Sequence, residues 1–222
     1  AHAVDFEIAK ANNQQLPLYY TPSTKQTNLV YVGRGGFDMR DAVEILFKAF
    51  KNGLTQHPDI FEYTHFHFIG TSYAPKGKGI ATISPIAKKL DLSKYVTEHT
   101  NRIGFYESIK QLMNANGLII IGSNDSSYTA SKLYPYILAK KQLLAIFNEN
   151  SSAAKIVVEC DAGGLITFNQ TEKEANSVLS EYIVKVKNNV PISANPIAFE
   201  PYTAQFLTKK QVELFNQILV ND

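Results

Sequence analysis

The sequence predicts a single α/β domain, a doubly wound, Rossmann-like parallel sheet of about six strands with helices on both faces. Three observations predict it. Short apolar, β-branched runs end at glycines, as buried parallel strands do. Segments with apolar residues at helical spacing follow most of these runs. The length of 222 residues is enough to bury a sizeable core in one domain.

The first strand–loop–helix unit begins at residue 28. Residues 1–27 are polar and lack a strong period, so we interpret them as a lead-in or linker. The run 29–33 (LVYVG) predicts a buried strand, and a glycine-rich turn leads from it into a helix that ends near Gly53. The apolar face of this helix consists of Ala42, Ile45, Leu46, Ala49 and Phe50.

The same alternation continues towards the C-terminus. Further strands are predicted at 61–70, 94–99, 117–123, 142–147 and 164–168. Further helices are predicted at 84–90, 106–116, 131–140, 151–160, 171–187 and 201–219. Thr171 and Glu174 have the spacing of a capping box at the start of a helix. Pro135 is tolerated only in the first turn of a helix, so we expect that helix to begin just before it.

Composition and charge exclude several function classes. The 22 basic and 20 acidic residues leave a net charge of +2, which excludes a strongly basic nucleic-acid binder but not a local anion pocket. The single cysteine, Cys160, excludes an intramolecular disulfide and a cysteine-based zinc site, and it favours a reducing compartment. No apolar run approaches the roughly 20 residues that span a bilayer, so we expect a soluble chain.

Two histidines, His65 and His67, alternate along one predicted strand and therefore share a face. No third ligand follows at a telling spacing. We interpret the pair as hydrogen-bonded packing and expect no tightly bound metal.

The loops after the strands are the candidate binding segments, because open α/β sheets bind ligands at the carboxyl ends of their strands. The loop Gly33–Phe37 combines glycines, which let the backbone approach an anion, with Arg34, whose guanidinium forks onto phosphate. It is not a dinucleotide fingerprint, because Asp38 stands where a third glycine is required. Glycines that serve packing alone are the alternative. The lysine-rich loop 74–79 fails the P-loop pattern, because Gly79 stands where Ser or Thr is needed.

The segment after the strand 117–123 is the third candidate. Its Ser/Thr-rich loop leads into a helix that opens at Ser131 and Lys132. Free N–H groups, hydroxyls and an ammonium there would converge on a diphosphate. A Ser/Thr N-cap followed by an exposed lysine is the alternative.

The order of three segments carries a resemblance: VYVGR, NRIGFYESIKQLMNANGLIIIGS and SKLYPYILAKKQLLAI. Together they resemble the C-terminal, nucleotide-sugar-binding domain of family-4-like retaining glycosyltransferases with the glycosyltransferase-B fold. The resemblance covers roughly residues 28–190. It implies that 1–27 is a lead-in from a missing N-terminal domain, that 28–190 is the donor-binding domain, and that 191–222 is a crossover segment and helix.

The resemblance also implies a role for each matching residue. The donor diphosphate would be held by Arg34, Gly35, Thr129, Ser131 and Lys132. The base would meet the segment Arg102, Ile103 and Gly104. The donor sugar would lie near Asp125 and Ser126. No catalytic residue is assigned and no metal ligand is expected.

The sequence departs from the family pattern at five positions, two of which, Lys140 and Gln142, stand where the family usually has a glycine and a proline. Pro135 and Ser127 stand where the family usually has glutamates, the first of which binds the ribose hydroxyls. Met39 stands where the usual lysine follows the Gly-Arg turn. These departures bear on whether the site is active.

Two functions follow as expectations. The first is the donor-binding half of a hexosyltransferase in bacterial surface-polysaccharide or glycoconjugate synthesis, cytoplasmic or peripheral at the inner membrane face. It would take a UDP- or GDP-sugar and an unknown acceptor, and it would be inactive alone because the active site lies between two domains. The alternative is a degenerate, non-catalytic domain that serves as a binding or interaction module.

Overall fold

The computed structural model describes residues 2–192 and 194–220. Its six strands are β1 (Thr27–Val32), β2 (Thr64–Ile69), β3 (Val96–His99), β4 (Gly117–Ile121), β5 (Leu143–Phe147) and β6 (Gly164–Thr167). All neighbouring strands pair in parallel, in the order β3-β2-β1-β4-β5-β6. The predicted doubly wound α/β sheet is confirmed.

Ten helices accompany these strands in the described part of the chain. They are α1 (Ala3–Ala11), α2 (Arg40–Gln56), α3 (Pro58–Phe61), α4 (Ser84–Lys89), α5 (Phe105–Asn114), α6 (Leu133–Leu138), α7 (Ser152–Glu159), α8 (Glu172–Lys187), α9 (Pro196–Phe199) and α10 (Ala204–Val220). Short 3₁₀ turns occur at Phe37–Met39, Ser93–Tyr95 and Glu200–Tyr202.

The core lies on both faces of the sheet. Every residue of β4 and β5 is buried, as continuous apolar runs in a parallel sheet require. Helices α2 and α8 pack against each other and α5 packs against α1 and β1. Thr171 caps α8 together with Glu174, as the capping-box pattern predicts. Helix α6 begins at Leu133, two residues before Pro135, which also agrees with the prediction.

The N-terminal segment contains structure that its sequence does not signal. Residues Ala3–Ala11 form α1, and the chain after α1 is held by the buried side chain of Gln111. This amide accepts from the Tyr19 N–H at 3.0 Å and donates to the Pro17 carbonyl at 2.9 Å. Lys110 of the same helix also donates to the Asn13 and Leu16 carbonyls, so the segment is fixed by polar side chains of a distant helix and no local period predicts it.

The end of the first long helix differs from the prediction. Helix α2 continues past Gly53 to Gln56, so Gly53 is not its C-cap. A side chain at Gly53 would overlap the ring of Phe61, which explains the glycine by close packing. Phe61 belongs to the short helix α3, and β2 therefore begins at Thr64 rather than at residue 61.

Helix α10 differs from the other long helices in its exposure. The exposed apolar side chains on it are Leu207, Val212, Leu214, Phe215 and Ile218. In the described part of the chain, no helix is both long enough and apolar enough to span a bilayer.

Candidate functional site

The candidate site is a cavity of about 630 Å³ at the carboxyl end of the sheet, a volume typical of small-molecule sites. The strand order places β1 between β2 and β4, so the connections leaving β1 and β4 diverge and open a crevice. The cavity is lined mainly by 32–34 after β1, 102–103 before α5 and 128–132 before α6.

The charged groups of the cavity are all cationic. Arg34, Arg102 and Lys132 line it, and its lining within the described residues contains no Asp or Glu. A small, partly apolar pocket with this charge is suited to an anion.

The amine of Lys132 lies against Tyr31 of β1. Lys132 directly precedes α6, and its amine lies 4.5 Å from the centre of the Tyr31 ring and donates a hydrogen bond to the Tyr31 hydroxyl. That hydroxyl donates in turn to the Arg34 carbonyl at 2.6 Å. Burial, followed by repulsion from the Arg34 guanidinium, lowers the pKa of Lys132 to about 7.

A glycine makes room for this amine. Gly33 has a φ of +151°, and a Cβ atom at this position would lie only 2.9 Å from the Nζ of Lys132. The Gly-Arg turn therefore has a specific purpose beyond a tight connection: it allows the lysine of a distant loop to lie over β1.

Arg34 is already engaged by a carboxylate in this structure. Its two terminal nitrogens donate to both oxygens of Asp38, at 2.7 and 2.6 Å. The hydrogen bond to Arg34 is the main cause that holds the pKa of Asp38 below its usual range. A side chain at Gly36 would overlap both partners, so the ion pair depends on that glycine.

The loop before α6 offers backbone donors beside Lys132. Among the hydrogen bonds of residues 2–192 and 194–220, none uses the N–H groups of Thr129, Ala130, Ser131 or Lys132 as donor. Thr129 and Ser131 are exposed at the cavity rim, so their N–H and hydroxyl groups are accessible.

The opposite rim is formed by the segment before α5. The Arg102 guanidinium lies 4.6 Å from the centre of the Tyr73 ring, a cation–π arrangement, and Ile103 faces the cavity beside it. Gly104 is the N-cap of α5, where its N–H donates to Glu107 at 3.4 Å.

The sequence-predicted residues fall into two groups. The structure brings six of them together around the cavity: Arg34, Arg102, Ile103, Thr129, Ser131 and Lys132. Four others do not line it: Gly35, Gly104, Asp125 and Ser126.

Two of these four have their own local roles. The Gly35 N–H donates to the Thr71 carbonyl at 2.8 Å, so this N–H is already used. The Asp125 carboxylate accepts from the N–H and the hydroxyl of Ser127, at 2.8 and 2.7 Å, and so closes a local turn.

Tyrosines of the cavity were not predicted from the sequence. The Tyr136 hydroxyl accepts from the Val32 N–H at 2.6 Å and donates to the Val32 carbonyl at 3.0 Å, which fixes the end of β1 where it parts from β4. Tyr31 supports Lys132 as described above, and Tyr128 lines the wall. No sequence signal distinguishes Tyr31 and Tyr136 from ordinary core aromatics, because each follows the apolar pattern of its element, and Tyr128 lies in a loop that has no such pattern.

The histidine pair lies away from this cavity. His65 Nε2 is 2.7 Å from Thr97 Oγ1 and His67 Nε2 is 2.9 Å from Asn28 Oδ1. Among the described residues, no group of three or more His, Cys, Asp or Glu side chains is placed to hold a metal ion.

Comparison with known proteins supports the fold. The sequence matches no known family model and no curated protein. A glycosyltransferase from Rickettsia africae ESF-5 is similar in structure, with a TM-score of 0.62 at 14% identity over 100% of this chain and 56% of its own. Sucrose-phosphate synthase from Thermosynechococcus elongatus gives 0.62 at 14% identity, over 100% and 52%. WaaG, a glycosyltransferase involved in lipopolysaccharide biosynthesis, gives 0.54 at 17% identity, over 82% and 43%.

The chain therefore has the fold of about half of a glycosyltransferase of the glycosyltransferase-B type. It spans about half the length of the solved structures that it matches. The fold that the sequence resemblance implies is confirmed.

Proposed function

We propose that this chain is the donor-binding half of a retaining glycosyltransferase and that its cavity binds the diphosphate of a UDP- or GDP-sugar. The observation that carries the proposal is the charge of the cavity: Arg34, Arg102 and Lys132 line it, without a carboxylate among its described lining residues. The unused N–H groups of residues 129–132 add the backbone donors that phosphate oxygens accept.

The chemistry of such a site is electrostatic. When the sugar leaves the donor, negative charge develops on the diphosphate, and fixed cations beside it stabilise that charge. Arg34 and Lys132 would supply this stabilisation through side chains, in place of a metal ion. Arg102 and Ile103 would lie on the side of the nucleoside.

The rest of the enzyme would supply the acceptor site. Helix α10 exposes an apolar surface that includes Leu207, Leu214 and Phe215, and a second domain packed there would remove it from water. Because WaaG is involved in lipopolysaccharide biosynthesis, we extend the proposal to an acceptor of the bacterial surface-polysaccharide or glycoconjugate class.

A non-catalytic binding module is the second candidate. The cavity wall contains Pro135, and no carboxylate of the described residues is placed there to accept from ribose hydroxyls. A domain that has lost these contacts would keep the fold and the cations without supporting transfer.

Thermal unfolding of the chain with UDP, GDP, ADP and their sugars tests the proposal. At about a hundredfold excess over Kd, a ligand adds about 2.7 kcal/mol, which raises Tm by about 5–10 °C in a chain of this size. We expect one base to give such a shift. The absence of a shift with every nucleotide would contradict a donor site and favour the non-catalytic module.

A matched pair of variants locates the binding. Lys132→Ala is expected to weaken binding by about 1.5–3 kcal/mol, the range for hydrogen bonds to charged groups, and so to remove most of the shift. Lys141→Ala changes another partly buried lysine that does not line the cavity and should retain it. Equal losses in both variants would argue against a phosphate site at Lys132.

A further inference from the structure

The amine of Lys132 is a partly buried cation without a carboxylate partner. The five ion pairs among the described residues do not include it, and its hydrogen bond goes to the hydroxyl of Tyr31. The phenol is neutral at physiological pH, since burial raises the pKa of Tyr31 well above its usual value. Lys132 therefore has an acceptor but no countercharge.

The other groups around this amine do not supply a countercharge. Arg34, after β1, repels the amine more than Asp38 attracts it, and both carboxylate oxygens of Asp38 are bound by Arg34. Tyr136 on α6 and Tyr128 in the loop before it are held neutral by burial, which raises their pKa values.

The rest of the cavity wall also contributes no negative charge among the described residues. The loop after β2 contributes Tyr73 and the segment before α5 contributes Arg102, a further cation. Helix α5 contributes Ser108, Ile109 and Leu112, none of which is charged. The missing negative charge must come from whatever enters the cavity.

We propose that binding of the donor diphosphate is coupled to the uptake of a proton by Lys132, so that affinity for the nucleotide sugar decreases as the pH rises above neutrality. The inference rests on the proposed function and adds a regulation to the same site. Without ligand, the pKa of about 7 leaves much of the amine neutral at physiological pH. A diphosphate beside the amine favours its charged form, and by linkage the protonated protein binds the diphosphate more tightly.

The direction of the pH dependence follows from the charge of Lys132 in the free and in the bound protein. Below about pH 7 the amine is charged before and after binding, so affinity does not depend on it. Above that value binding requires Lys132 to take up a proton from the solvent, and affinity decreases by up to about tenfold per pH unit until the pKa of the complex is reached.

The experiment is calorimetric titration of the full chain with UDP-glucose and, separately, GDP-mannose between about pH 6 and pH 8.5, a range in which neither diphosphate diester titrates. Repeating it at about pH 8 in two buffers of different ionisation heat gives the number of protons taken up, expected to approach one. Lys132→Arg, which stays charged throughout this range, should remove both the pH dependence and the proton uptake. Lys141→Arg is the matched control and should retain both.

A second measurement reports on the amine without any ligand. Reductive ¹³C-methylation followed by an NMR pH titration gives the midpoint of each lysine, and the signal absent in Lys132→Arg is assigned to Lys132. A midpoint near 7 is expected, and one near the unperturbed value of about 10.4 would overturn the inference.

The outcomes separate the two proposals. Binding that does not change with pH in the unsubstituted chain overturns the coupling and leaves the donor site intact. If neither nucleotide sugar binds at any pH, the proposed function fails and the coupling fails with it.

Discussion

Two buried bases of this molecule, Lys132 and His67, resemble each other in electrostatics and differ in surroundings. Burial is the main cause that lowers both pKa values, to about 7 for Lys132 and about 3 for His67. Lys132 faces a cavity of about 630 Å³, whereas His67 is 7% exposed and stacks on Tyr20 with ring centres 4.8 Å apart. A shifted pKa therefore does not mark a binding site by itself; access for a counterion does.

The hydrogen bonds of His67 leave no acceptor among the described residues for a second proton on its ring. The Asn28 amide donates to the Thr21 carbonyl at 3.3 Å, which directs its oxygen towards His67 Nε2 and makes Nε2 the protonated nitrogen. Nδ1 is then an acceptor, and it has no partner within the described part of the chain. A proton on Nδ1 would create a buried charge without an acceptor.

The largest expected effect is the loss of folding stability in acid that His67 causes. Because the pKa of His67 is lowered in the folded state, its neutral form contributes stability above about pH 6.5, and that stability is lost as the pH falls towards about 3. The free energy of unfolding should decrease by up to about 1.4 kcal/mol per pH unit in this window. Urea unfolding at a series of pH values measures the slope.

A conservative variant isolates the contribution of His67. His67→Gln retains a donor at the position of Nε2 and cannot be charged, so it should flatten the acid limb. His57→Gln, at an exposed position after α2, is the matched substitution with which the slope of His67→Gln is compared. The same slope in all three proteins would mean that other groups cause the acid sensitivity.

The second expected effect is that removal of Lys132 stabilises the ligand-free chain. The charged amine is disfavoured by burial, so it opposes folding most strongly below about pH 7, and this opposition decreases as the pH rises towards the unfolded-state value of about 10.4. Lys132→Met should therefore raise stability at neutral pH by about 1–2 kcal/mol, or about 3–6 °C in Tm, while nucleotide binding weakens.

The same substitution elsewhere sharpens this contrast. Lys141 is also partly buried but does not line the cavity, and burial alone lowers its pKa. Lys141→Met should leave nucleotide binding intact. A loss of stability in Lys132→Met would show that its contacts with Tyr31 outweigh the burial of its charge.

The sequence predicts the sheet better than it predicts the site. Strands such as β4 and β5 are announced by continuous apolar runs, and the loops after β1 and β4 are located by the geometry of parallel sheets. Arg34 and Lys132, which line the cavity, are candidates from sequence alone because their residue types match anion chemistry. The support from Tyr31 could not, since an aromatic residue on a buried strand looks like core.

The same limit applies to local pairs. The Arg34–Asp38 interaction requires the close approach that Gly36 permits, and a spacing of four residues in a loop does not announce it. Helix α1 was missed for a related reason, because its contacts with α5 are not encoded as a strong local period.

The smallest expected effect concerns this ion pair at the edge of the cavity. Asp38 is 44% exposed, so its bidentate contact with Arg34 should contribute only about 0.2–1 kcal/mol to stability. Asp38→Asn should lower stability by no more than that amount. It also removes a negative charge next to the proposed diphosphate site and frees both terminal nitrogens of Arg34, so binding of the nucleotide sugar that raises Tm should tighten by about two- to fivefold. Asp41 is an exposed acidic residue in the first turn of α2, so Asp41→Asn is the control for net charge alone and should change affinity less.

Weaker binding in Asp38→Asn would reverse the interpretation, because Asp38 would then be needed to orient Arg34 rather than to compete for it. In either case the ion pair, unlike the neutral surroundings of His67, has its effect on what enters the cavity.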